Sequence, residues 1–296
     1  MLSMKNISLK CLLMLSLLAL CGLCGSSAMA EDAAAFLATM DNASATLRYP
    51  AWTTAEKYGP SVIVPLGEKM EAADRSKSQD LKRAIERIVH QAGQPGADAE
   101  RKAVAAELVK LLVPDRSAKV KNEILDLLGY IADESNLSTI EPLLADEAVR
   151  VEACRAIQRI PGRAATECLE KSLEKSQGDF TIALLGALGQ RKDKSAGPAL
   201  EKFMNQSNGD LKLLSLEALA KSGALPPREL RKIFESIGKP IDPDVRANIR
   251  LMFADNLAAQ GETERARKIY ESLLKAKDGD QIPIAAQKGL DSLSKK

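Results

Sequence analysis

Histidine, tryptophan and excess charge are scarce in this sequence, and each scarcity excludes something. One histidine and one tryptophan occur in 296 residues, and aromatics make up 3%. With His90 alone and few cysteines, no zinc set of familiar ligand spacing can be assembled, so no metal is expected. A serine triad would have to use His90, and no G-x-S-x-G accompanies it. Neither G-x-x-x-x-G-K-[ST] nor G-x-G-x-x-G occurs, which removes the phosphate-cradling loops and leaves no cofactor to expect. Clustered carboxylates such as Glu167, Glu170 and Glu174 alternate with lysines at helical spacing, as on a solvated helix face. No catalytic residue emerges, and the chain reads as a non-enzyme.

Net charge is also nearly absent. The formal value is +2, and two of the 42 basic residues, Lys5 and Lys10, lie in the first thirty positions, which hold no acid. From Glu31 onward 40 basic residues face 40 acidic ones. Such a surface lacks the long-range pull on phosphate backbones or anionic lipid that nucleic-acid and membrane-surface proteins use.

The opening segment has a basic start, the uncharged apolar run CLLMLSLLALCGLCG (11–25), and small residues before Ala30. This predicts a secretory signal peptide over 1–30, cleaved after Ala30, and hence a periplasmic or extracellular protein with no membrane insertion afterwards. Two of the five cysteines, Cys154 and Cys168, would remain. Export places them where disulfides persist. They flank the turn Ile160-Pro161-Gly162 at similar distances, so a bridge across a helical hairpin is conceivable. Against it, packed helix axes lie roughly 8–10 Å apart, whereas bridged Cα atoms must approach within about 7 Å. Two buried thiols are the other reading.

What the sequence has in plenty is repetition. Val120, Val149, Phe180, Leu211 and Val245 recur at intervals of 29 to 34 residues. Four residues on stand Ile124, Ala153, Leu184, Ser215 and Ile249, and eight on stand Leu128, Ile157, Leu188, Leu219 and Phe253. The i, i+4, i+8 spacing is one face of a helix, and its recurrence marks stacked helical hairpins. Second helices contribute Leu137, Ile140 and Leu144, then Leu169 and Leu173, then Leu200, Phe203 and Met204, then Leu230, Ile233 and Phe234. A column of cations follows the first anchor at Lys121, Arg150, Lys212 and Arg246, with acids preceding it; pairing with acids of the same or a neighbouring repeat is expected. The predicted fold is all-α, a right-handed α-solenoid of hairpins. Tyr49, Trp52 and Tyr58 cluster near the start, where aromatics either fill the core under a terminal cap or form a ligand platform.

The D-x-x-V-R-x-x-A core at Asp146–Ala153 and the DPDVR of 242–246 resemble HEAT repeats of the phycobilisome-lyase-like type. The run 87–112 is similar to secreted HEAT-repeat proteins of planctomycete-type bacteria. The resemblance implies the solenoid fold and carries no assigned activity. Residues 247–280, with Gly261, Ala266 and Tyr270, are similar to a tetratricopeptide (TPR) repeat, here expected to serve as a C-terminal cap. The expected organisation is a divergent N-terminal cap over 31–76, the HEAT-like array over 77–241, and the HEAT/TPR-like repeat with a capping helix over 242–296.

A solenoid of this kind offers a concave groove lined by second helices. The function expected is a scaffold in the cell envelope that binds an as yet unidentified envelope protein or peptide. Glu167, Lys171, Lys202 and Arg231 are the expected groove residues, chosen for polarity and position. The alternative is a small-molecule-binding or lyase-like accessory enzyme with its site near the N-terminal aromatic cluster of Tyr49, Trp52 and Tyr58.

Overall fold

The computed structural model describes residues 32–224, 230–237, 240–275 and 281–294, with the backbone alone of Arg231. The expected leader, 1–30, lies outside these residues. Among the described residues every regular element is helical, and no helix is long and apolar enough to cross a membrane. The chain forms two compact units, one ending at Ala132 and one beginning at Asp133. That divide falls inside the stretch read from sequence as one array.

The first unit holds α1 (32–40), α2 (Ala45–Trp52), α3 (Ile63–Ala72), α4 (Arg75–Ala92), α5 (Asp98–Val109) and α6 (Ala118–Ile131). Asp74 starts α4 by accepting the Lys77 amide at 2.9 Å, as an N-cap carboxylate does. Leu81, Ile85, Ile88 and Val89 turn one face of that helix into the core. Asp98 is the first helical residue of α5 and pairs with Arg101. The unit also buries an ion pair that hydropathy gives no hint of. Arg48, 1% exposed on α2, donates to Asp80 of α4 at 2.9 Å and to the carbonyls of Asn42 and Ala43.

In the second unit the first helices are α8 (Arg150–Arg159), α10 (Asp179–Gln190), α12 (Gly209–Ser222) and α14 (Pro243–Ala259). Second helices are α9 (Arg163–Lys175), α11 (Gly197–Gln206), α13 (Leu230–Ser236) and α15 (Thr263–Lys275). Ahead of α8, the segment 134–145 takes the place of a second helix as two 3₁₀ turns around the single α-turn α7 (Leu137–Ile140). Each first helix packs on its successor, α8 on α10, α10 on α12, and α12 on α14. The apolar columns explain this. Ala153, Leu184 and Ser215 are buried in line, as are Ile157, Leu188 and Leu219. The column at the helix starts departs at Leu211, which is 37% exposed in the first turn of α12. The stack ends on α16 (Gln281–Leu293), which buries Ile282, Ala286 and Leu293. Gly289 lets α16 approach α15, because a Cβ there would stand 2.5 Å from the Tyr270 ring.

Candidate functional site

The turn between α8 and α9 is built around a cation that the apolar pattern does not reveal. Helix α8 ends at Ile160-Pro161-Gly162, where the Ile160 amide closes on the Ile157 carbonyl and the carbonyls beyond it have no partner within the helix. Arg191, one residue beyond α10, supplies one. Its guanidinium lies 2.9 Å from the Ile157 and Gln158 carbonyls and 2.6 Å from those of Ile160 and Gly162. Its Nε donates to the Thr166 hydroxyl at 2.9 Å, and that hydroxyl donates to Asp193 at 2.6 Å. Burial pulls the Arg191 guanidinium below its ordinary value, with Asp193 opposing. Hydrogen bonds from Ser195 and Thr166 hold the Asp193 carboxyl down to about 2. Gly162 completes the turn at φ +95, a conformation L side chains avoid. The D-x-S of Asp193–Ser195 is the one sequence signal of this network, and it recurs at Asp133–Ser135 with the same serine-to-aspartate bonds.

This turn sets the position of α9 and its polar face. Glu167 and Lys171 stand on α9 one turn apart, and Lys202 on α11 reaches Glu174 of α9 at 2.8 Å. Three of the four expected groove residues therefore lie on neighbouring second helices. The side chain of Arg231, the fourth, lies outside the described residues. Glu167 is not open for a ligand, because Arg163 donates to it at 3.1 Å while clasping Glu170 with both terminal nitrogens. Lys171 differs. It lines a cleft of about 540 Å³ between the 3₁₀ turn of 141–145, α9 and the starts of α8 and α10. Lys175, one turn further along α9, lines the same cleft. Neither lysine makes an ion pair or side-chain hydrogen bond among the described residues.

Two expectations are corrected here. The conceivable bridge between Cys154 and Cys168 is not formed, and both cysteines are free and buried. They face opposite neighbours: the Cys154 thiol points at the Ala183 carbonyl of α10, and Cys168 lies beside Glu141 of the preceding segment, both lining one cleft. Desolvation, first in each case, pushes the Cys154 thiol up to about 12 and the Cys168 thiol to about 11, so neither supplies a thiolate at neutral pH. The column of cations also behaves differently from the expected ladder. Arg150 lies 4.9 Å over the Phe180 ring and Arg246 5.2 Å over Phe234, while Lys121 donates to the Pro114 carbonyl. Only a long 3.5 Å contact joins Arg150 to an acid, Glu147 of its own repeat.

In the first unit the aromatic cluster is part exposed and part packed on the core. Tyr58 stacks on buried Phe36 with centroids 4.3 Å apart. Tyr49 is 60% exposed and meets half-buried Trp52 edge-on at 5.2 Å, with Arg83 over the indole. His90, exposed in the last turn of α4, meets the Tyr130 ring edge-on. Among the described residues no group of three His, Cys, Asp or Glu side chains is placed to hold a metal ion.

Residues 105–186 match the family model of HEAT repeats, a stretch running from α5 into α10 and including the Arg191-capped helix α8. A crystal structure of an engineered protein is similar at 18% identity, over 79% of this chain and 96% of its own, with a TM-score of 0.30. No curated protein matches the chain.

Proposed function

We propose that the chain is a non-enzymatic scaffold that holds a protein or peptide of the cell envelope on the second-helix face of its second unit. The observation that carries this reading is the cleft beside α9, where two unpaired lysines and exposed Pro142 and Ala145 share one concave surface. A surface of that kind suits a polypeptide, which brings both polar and apolar groups at short spacing. The leader-like segment 1–30 supports export, and the balanced charge beyond it speaks against nucleic acid. The test is affinity capture from an envelope extract with the chain from Glu31 onward, beside a triple variant Lys171→Glu, Lys202→Glu and Arg231→Glu. A protein held by the native chain and released by the variant is expected. The same proteins on both samples would refute the assignment of this face.

A second reading rests on the exposure of Tyr49 and on Trp52, whose indole is half open on the first unit. Those rings suit a small planar or glycosidic ligand. It predicts a ligand-dependent rise in melting temperature that Trp52→Ala abolishes, and an unchanged rise in that variant would exclude the site.

A further inference from the structure

The cleft beside α9 has a charge pattern more specific than the scaffold reading requires. Lys171 and Lys175 are four residues apart on one helix, so their Cα atoms are separated by about 6 Å along the axis. In an extended chain, residues i and i+2 point to the same side and stand about 6.8 Å apart. Two carboxylates at alternate positions of a strand laid along α9 therefore meet the two ammonium groups in register. The residue between them points the other way, towards Pro142 and Ala145, both exposed on the facing wall. Nearby, the Arg150 guanidinium has its face on Phe180 and its nearest acid is Glu147. Glu141 and Glu147 also line the cleft, so a continuous polyanion such as a nucleic acid would meet repulsion there. Isolated carboxylates on one wall, with an uncharged residue on the other, avoid it.

We infer that this cleft binds an extended peptide carrying acidic side chains at alternate positions, held by Lys171 and Lys175 with the intervening uncharged side chain against Pro142 and Ala145. The inference rests on the scaffold reading and narrows its ligand. The experiment is selection of a library of short random peptides on the full chain. Enriched sequences are then titrated by fluorescence anisotropy against the native protein, Lys171→Glu/Lys175→Glu, and Lys192→Glu, whose charge change lies outside the cleft. Both altered proteins are first matched to the native melting curve. Acids at alternate positions, with affinity weakened about tenfold or more by the double reversal and unchanged by Lys192→Glu, are expected. Enriched peptides without acids, or equal weakening by Lys192→Glu, would overturn the inference and leave peptide binding intact. If no peptide is enriched, the scaffold reading falls together with it.

Discussion

Replacing Arg191 by methionine tests the network that places α9. The substitution keeps most of the side chain's length and deletes the guanidinium alone. The carbonyls of Gln158, Ile160 and Gly162 then lose this donor, while that of Ile157 keeps the Ile160 amide. Water can serve the Gly162 carbonyl at the exposed turn, while those closing α8 are less accessible. Two hydrogen bonds from a charged group, at about 1.5–3 kcal/mol each, set the gross loss. The half-buried cation no longer has to be desolvated, which returns part of it, so the net loss comes to about 3 kcal/mol. For a unit of this size that lowers the melting temperature by about 9 °C. Urea unfolding followed by far-UV circular dichroism measures it, with an unchanged slope expected. Arg191→Lys keeps the charge without the planar fork and should lose about half as much. A loss under about 1 kcal/mol for methionine would refute the hub, because it would mean water satisfies the α8 carbonyls as well as the guanidinium does.

Other substitutions follow from the same contacts. Asp193 has its carboxyl held at about 2 against an ordinary 3.8, so its contribution is present above pH 4 and lost as pH falls towards 2; Asp193→Asn should flatten that acid limb in stability measured across pH. Gly162→Ala puts a Cβ 1.8 Å from the Glu134 carboxylate at φ +95, and should cost about 2 kcal/mol in the same urea assay. Lys192, at φ 53 just past α10, occupies a left-handed position, and Lys192→Gly should stabilise by about 1 kcal/mol, read as a raised melting temperature. Arg48→Met removes the buried partner of Asp80 and leaves it the longer 3.3 Å contact with Arg83, which should cost about 3 kcal/mol, with Arg48→Met/Asp80→Leu recovering much of it in a double-mutant cycle.

The apolar columns were legible because burial repeats at the helical period: Ile157, Leu188 and Leu219 are all in the core. The same reasoning assigns no position to Val151 and Ile182, which stand 39% and 46% exposed two residues past the buried anchors Val149 and Phe180. Periodicity ranks residues by face, and these sit at the edge of one. Arg191 was illegible for another reason. Its partners are backbone carbonyls roughly thirty positions earlier, and carbonyls carry no sequence signature. Counting from the Pro161-Gly162 turn placed Cys154 and Cys168 at matching heights but left out helix rotation, which directs one thiol at Ala183 and the other at Glu141. Of the expected groove residues, Lys171 lines the cleft, whereas Lys202 stands on α11 paired with Glu174. Lys175 was missed because nothing in the sequence separates it from an ordinary solvated lysine until the 141–145 turn is seen across the cleft.

Site-specific photo-crosslinking in the cells that make the protein tests the central claim most directly. A photoreactive residue at Ser172, inside the cleft, is compared with one at Val151 on the exposed side of α8. The scaffold account predicts a discrete adduct from Ser172 that is absent from Val151 and disappears with Lys171→Glu/Lys175→Glu. The same adducts from both positions, or none from Ser172, would contradict it.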